Sequence, residues 1–319
     1  MPTTGLDPEA AAFLRRLERP GQPPYHLLPL DVQRQSTEKM TSAFGPPRPE
    51  VAMAEEGRMS RPAALGGSLG YRLYRPLHSD LVERLPALVW YHGGGWTVGS
   101  IAAYDTLCRQ LANSSACAVV SVSYRLAPEH PFPAATDDAL FAFDWIREHA
   151  PRLGIDAGRL AVGGDSAGGN LAAVTAIACR DRGAAMPRFQ LLIYPSTDQR
   201  GSSASHRTYA DGFLLTQASL LRFRDNYLPD PADHEDWRAS PLLAPSLAGL
   251  PPALVLTASH DPLVDDCRRY ATRMREAGVP VTYSEYPGQI HSFFVLGGAI
   301  RAANRAVEEA AAALARALF

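Results

Sequence analysis

Leu160-Ala161-Val162-Gly163-Gly164-Asp165-Ser166-Ala167-Gly168-Gly169-Asn170 is the stretch whose reading decides the fold of this 319-residue chain. Within it, Gly164 to Gly168 spells G-x-S-x-G, preceded by the apolar run Leu160 to Val162 and followed by the helix-forming run Leu171 to Ala178. Strand, sharp turn and helix is the setting in which this pentapeptide acts as a nucleophile elbow. Its glycines let the backbone fold back without a Cβ clash, so the Ser166 hydroxyl stands exposed above a sheet in a strained turn. The helix that follows aims unpaired N–H groups and a partial positive charge at the same place. Taken alone, the pentapeptide also fits a glycine-rich turn with an incidental serine, so the remainder of the chain has to decide.

Outward from the elbow, short apolar runs alternate with helix-forming segments. Strands are expected over 51–59, 69–74, 86–91, 116–123, 159–162, 189–194, 253–257 and 281–285, and helices over 101–113, 135–149, 263–277 and 299–318 as well as after Ser166. This alternation predicts an α/β fold, a mostly parallel sheet with helices on both faces. Residues 196–250 interrupt it with a polar, turn-rich segment around a helical 216–227. Two further helical segments, 6–19 and 31–44, belong to no strand pattern. Residues 1–45 therefore read as an accessory element able to lie across a core of residues 46–319 as a lid.

Lys and Arg number 31 against 33 Asp and Glu, a net charge of −2 that leaves no electrostatic footprint for nucleic acid. No apolar run approaches the length of a membrane span, and the first residues carry neither a basic region nor an apolar one. A cytoplasmic location is expected, with Cys108, Cys117, Cys179 and Cys267 reduced and mostly buried. Their scatter shows no metal-ligand spacing, and no phosphate-loop or dinucleotide fingerprint is present, so neither metal nor cofactor is expected.

In an open α/β sheet, reactive groups sit in loops at the carboxyl ends of the strands. Three more stretches fall there. His92-Gly93-Gly94-Gly95-Trp96 follows the strand at 86–91, and consecutive glycines expose backbone N–H groups to a tetrahedral oxyanion. Asp261, in Asp261-Pro262-Leu263, follows the strand at 253–257; capping the next helix is the commoner role for an Asp before Pro. His291 follows the last strand, and a lone histidine is more often structural than catalytic. The order Ser166, Asp261, His291 is that of α/β hydrolases, in contrast to other serine-hydrolase folds. In that reading Ser166 is the nucleophile, His291 its base and Asp261 the partner of the imidazole. The N–H of Ala167 faces the oxyanion, His92 organises its loop, and Asp165 is expected in a structural polar network.

These residues carry a family resemblance. HGGGW at 92–96, GDSAGGN at 164–170, DPL at 261–263, the late His291 and YRLAPEHPFPAA at 124–135 are similar to the bacterial hormone-sensitive lipase family of carboxylesterases. The likeness runs from about residue 51 onward and more loosely over the amino-terminal helices. It implies an eight-stranded core, a helical cap built from the amino-terminal segment and an insert at about 196–230, and Gly94 and Gly95 as further oxyanion donors. It also implies short-to-medium acyl esters as substrates and a homodimer. Trp96, Tyr194, Tyr209, Phe213, Leu214 and Leu215 are candidates for the acyl and alcohol pockets, with a plain core role an equal alternative for each. The chain departs from the family pattern at Ser292, where Gly usually follows the histidine, and at His260, where an apolar side chain usually precedes the acid. The same triad serves amidases, lactonases and deacetylases, and the scaffold also serves non-catalytic receptors that lack the histidine. His260, beside Asp261, is expected to point away from Ser166, because neighbouring side chains leaving a strand face opposite ways.

Overall fold

Strand β3, Leu85–Tyr91, is buried at every residue, and its side chains alternate between two apolar layers. Ala87, Val89 and Tyr91 enter one layer while Leu88 and Trp90 enter the other, which is why the run reads as continuously apolar. In this computed structural model, residues 5–18, 21, 23–63, 66–80 and 82–319 are described. The other strands are β1 (Met53–Met59), β2 (Leu69–Arg75), β4 (Ala118–Ser123), β5 (Ile155–Asp165), β6 (Phe189–Ile193), β7 (Ala253–His260) and β8 (Val281–Ile290). They form one eight-stranded sheet in the order β1-β2-β4-β3-β5-β6-β7-β8. The pairs β1–β2 and β2–β4 are antiparallel and all later neighbours are parallel.

The helices are α1 (Pro8–Leu17), α2 (Leu30–Phe44), α3 (Asp105–Ser115), α4 (Ala134–Glu148), α5 (Ala167–Asp181), α6 (Ala204–Thr208), α7 (Gln217–Tyr227), α8 (Val264–Glu276) and α9 (Arg301–Leu318). The apolar sides of α4, α5 and α8 fill one layer, and those of α1, α3 and α9 fill the other. Helix α1 starts as its sequence dictates, with Asp7 accepting from the N–H of Glu9 ahead of Pro8. The expected helix over 6–19 is observed as Pro8–Leu17; residues 1–4, 19, 20 and 22, which belong to the proposed lid, lie outside the described residues.

Most boundaries move by one to four residues, and three extensions matter. Strand β5 begins at Ile155, because Ile155 pairs with Leu85 before a register shift, although the polar Asp156-Ala157-Gly158-Arg159 hides it from an apolar pattern. Strands β7 and β8 run on through Ser259-His260 and through Pro287-Gly288-Gln289-Ile290, and their ladder ends with His260 opposite Ile290. The next residues on these two adjacent parallel strands are Asp261 and His291. Sheet register alone therefore sets them side by side, since neighbouring strands lie about 4.8 Å apart.

Candidate active site

Ser166 leaves β5 with φ 54 and ψ −117, outside the regions an L-residue ordinarily occupies. The turn is pinned from both sides: the Ser166 N–H donates to Ile193 O at 2.9 Å, and its carbonyl accepts from the N–H groups of Asn170 and Ser196 at 3.0 and 3.1 Å. Helix α5 then starts so close to β3 that a Cβ on Gly168 would lie 1.9 Å from the carbonyl oxygen of Tyr91. Only glycine fits there.

His291 Nε2 lies 3.0 Å from Ser166 Oγ, and its Nδ1 lies 2.6 Å from Asp261 Oδ2. Asp261 is fully buried and His291 is 4% exposed. The other carboxylate oxygen of Asp261 accepts from the N–H of Leu263 at 2.8 Å, so the turn-capping role open to an Asp before Pro is filled at the same time. His260 points elsewhere: its Nδ1 lies 2.9 Å from Ser259 Oγ, and its ring sits against Tyr209 and Phe213 at 5.4 and 5.5 Å.

The glycine loop after β3 is built on buried polar groups. Asp165, next to the serine, accepts from the Gly93 N–H and from the Tyr104 hydroxyl, both at 2.8 Å. Burial pushes the Asp165 carboxyl up to about 6. His92 stacks on Tyr124 at 4.4 Å and directs Nδ1 to Gly93 O at 2.8 Å; a carbonyl only accepts, so that nitrogen carries the hydrogen. Burial pushes this imidazole down to about 4. Tyr124 donates to His92 O at 2.7 Å. Gly94 and Gly95 have φ of 116° and 57°, and a Cβ on either would strike Val98 O or the Phe223 ring. Among the described residues, the N–H groups of Gly94, Gly95 and Ala167 donate to no protein acceptor.

A serine in a strained turn, an imidazole and a buried carboxylate, at the ends of β5, β8 and β7, form a chain able to move a proton off a hydroxyl, beside a loop of open N–H groups. A family model described as the alpha/beta hydrolase fold matches residues 88–295. The chain belongs to the α/β-hydrolase family.

Within it, this α/β hydrolase belongs with the bacterial hormone-sensitive lipase group of carboxylesterases. It is 40% identical over 304 residues to the ethyl acetate hydrolase of Pseudomonas putida, covering 94% of this chain and 95% of that protein. An α/β hydrolase enzyme from the metagenome of Lake Arreo, Spain, superposes with a TM-score of 0.93 at 46% identity, with 98% of each chain covered. A thermostable esterase from Pseudomonas putida superposes with a TM-score of 0.94 at 35% identity, covering 99% of this chain and 98% of that one.

The aromatic candidates of this hydrolase divide into three groups. Trp96 stacks face to face on Tyr227 of α7 at 4.3 Å, and Tyr194 is fully enclosed with its ring 4.6 Å from that of His291. Tyr209 and Phe213 enclose His260, while Leu214 has φ 72° and Leu215 is 8% exposed. Sequence reasoning missed Tyr104 and Phe223, since a lone aromatic residue has no spacing to betray it, and it gave Tyr124 a place in the 124–135 motif but no role. The four cysteines are free and buried. Among the described residues no group of His, Cys, Asp and Glu is placed to hold a metal, and no helix is long and apolar enough to cross a membrane.

Proposed function

We propose that this protein hydrolyses carboxylic esters of short-to-medium acyl chains through an acyl-enzyme formed on Ser166. The single observation that carries the reading is the hydrogen-bonded chain Ser166–His291–Asp261, at 3.0 and 2.6 Å. His291 takes the Ser166 proton as Oγ attacks the ester carbonyl carbon, and Asp261 holds the imidazole tautomer and stabilises the imidazolium. The carbonyl oxygen becomes an oxyanion that accepts from the N–H groups of Gly94, Gly95 and Ala167, each such donor contributing roughly 3–4 kcal/mol to the transition state. The imidazolium then protonates the departing alkoxide, and the alcohol leaves. A water attacks the acyl-enzyme with His291 again as base; the acid departs and Ser166 regains its proton. Tyr194, packed on the imidazole, supports it.

The amino-terminal segment 1–45 and the insert at about 196–230 act together as the cap. Their approach supports this: the Tyr25 ring meets the Phe223 ring edge-on at 6.4 Å, and Phe223 lies against the glycine loop. Trp96, Tyr209, Phe213, Leu214 and Leu215 bound the substrate pocket under it. The resemblance to the hormone-sensitive lipase family implies roughly C4 to C8 acyl chains over palmitoyl, as a bounded pocket would favour.

Ser166→Ala and His291→Ala should each cost several orders of magnitude in turnover of p-nitrophenyl butyrate with an unchanged circular dichroism spectrum. The double variant should lose little more, since the groups act as one unit. His260→Ala should keep substantial turnover. A Ser166→Ala protein with even about a tenth of normal turnover would place the nucleophile elsewhere.

A further inference from the structure

Arg34 stands on α2, and its guanidinium reaches two separate chain segments at the carboxyl edge of the sheet. Nε donates to the carbonyl of Thr97 at 3.0 Å, and Nη2 donates to the carbonyl of Ala127 at 3.3 Å. Nη1 and Nη2 bind the two oxygens of Glu129, each at 2.7 Å. One turn further along α2, Glu38 accepts from the Ser100 hydroxyl at 2.6 Å.

Thr97 and Ser100 close the loop that opens at His92. Inside it, the Gly94 carbonyl accepts from the N–H groups of Thr97 and Val98 at 3.0 and 2.9 Å. The Thr97 hydroxyl donates to Gly95 O at 2.9 Å, and the Ala127 N–H donates to Trp96 O at 2.8 Å. One guanidinium thus fixes Thr97 on one flank of the turn and, on the other, the segment that holds Trp96. Gly94 and Gly95 take up positive φ readily, but Trp96, a bulky residue at φ 54°, holds it only where the surroundings over-determine it. As an ion pair the contact contributes little, because the side chains of Arg34 and Glu129 are 32% and 50% exposed. Its consequence is direction: a planar fork holds two carbonyls and a carboxylate in one fixed relation, which an ammonium on a flexible stem does not reproduce.

We propose that Arg34 is a positioning residue for ester hydrolysis, holding the 92–98 loop in the geometry at which the Gly94 and Gly95 N–H groups meet the oxyanion. The amino-terminal helix then contributes to the rate of the chemical step and does more than enclose the substrate. The inference rests on the oxyanion role proposed above for these glycines.

The test uses the full-length protein with p-nitrophenyl butyrate as substrate and an alkyl trifluoromethyl ketone, which forms a tetrahedral adduct on the serine, as inhibitor. Arg34→Met should lower kcat by about tenfold or more with KM within about threefold, and should weaken the ketone by a similar factor. Arg34→Lys should show the same split at intermediate size. Glu129→Gln leaves the two carbonyl contacts in place and should keep kcat within about threefold of normal. An Arg34→Met enzyme whose kcat and ketone affinity both stay within about threefold of normal, whatever its melting temperature, overturns the proposal. Should that variant fail to fold, Arg34→Lys decides on the same two numbers. Ser166→Ala is assayed alongside. If it keeps turnover, the underlying reading fails; if it is dead while Arg34→Met is fully active, only the positioning role fails.

Discussion

Asp165 and His92 are buried titratable side chains on either side of Gly93, and their pH effects on stability have opposite sign. The Asp165 carboxyl is raised to about 6 from an unfolded value near 4, so its contribution is whole below pH 4 and is lost as pH rises through 6. The His92 imidazole is lowered to about 4 from about 6.5, so its contribution is whole above pH 6.5 and is lost as pH falls through 4. Each shift corresponds to roughly 3 kcal/mol, so the two offset each other over the same window. His92→Gln should leave Asp165 uncompensated, and its stability in urea should gain on the wild type as pH falls from 6.5 to 4. Asp165→Asn should lose stability more steeply than the wild type over that range. A His92→Gln profile parallel to the wild type would mean that His92 takes up its second proton as readily in the native state as in the unfolded one. The titration was not legible in the sequence, where His92 read as a loop organiser and Asp165 as a member of a structural polar network. The triad candidates stood out because each closes a strand in an order that few folds share. Tyr104, which holds Asp165, comes from a helix start with no motif of its own, and Tyr124 opens a recognisable motif that does not say it holds His92.

Among the elements, the start of α5 tolerates the least. The carbonyl of Tyr91 is fixed in the β3 end, so the 1.9 Å overlap with a Cβ at position 168 has no flexible group to yield. Gly168→Ala should cost about 3 kcal/mol or more, seen as a large fall in melting temperature or a failure to fold. Near-normal melting would mean that α5 shifts along its axis, and kcat should then fall as Ser166 moves with it. The sequence announced this element through its motif and most strands through their apolar runs. It concealed the tails of β7 and β8, because residues such as Ser259, His260 and Gln289 pair through the backbone without adding to an apolar pattern. Yet those tails create the Asp261–His291 contact, so the feature hardest to read from side chains is the one that assembles the site.

For the molecule as a whole, alternation of apolar runs and helical segments was enough to anticipate the α/β fold. The breaks in that alternation marked off residues 1–45 and 196–250, but not the approach of the two segments, which rests on single contacts such as that of Tyr25 with Phe223. One consequence of the strand order concerns how the protein fails. Ser166 ends an interior strand flanked by β3 and β6, whereas His291 ends β8, which among the described residues is bonded only to β7. Edge strands open at a lower free energy than the interior. A sheet that has merely loosened its last strand keeps nearly all of its secondary structure and has lost the contact of His291, the proposed base, with Ser166. Catalytic inactivation in urea should therefore precede the loss of far-ultraviolet ellipticity, and coincident midpoints would show that β8 melts only with the whole. Failure in that order would begin at the margin of the sheet while the scaffold is still sound.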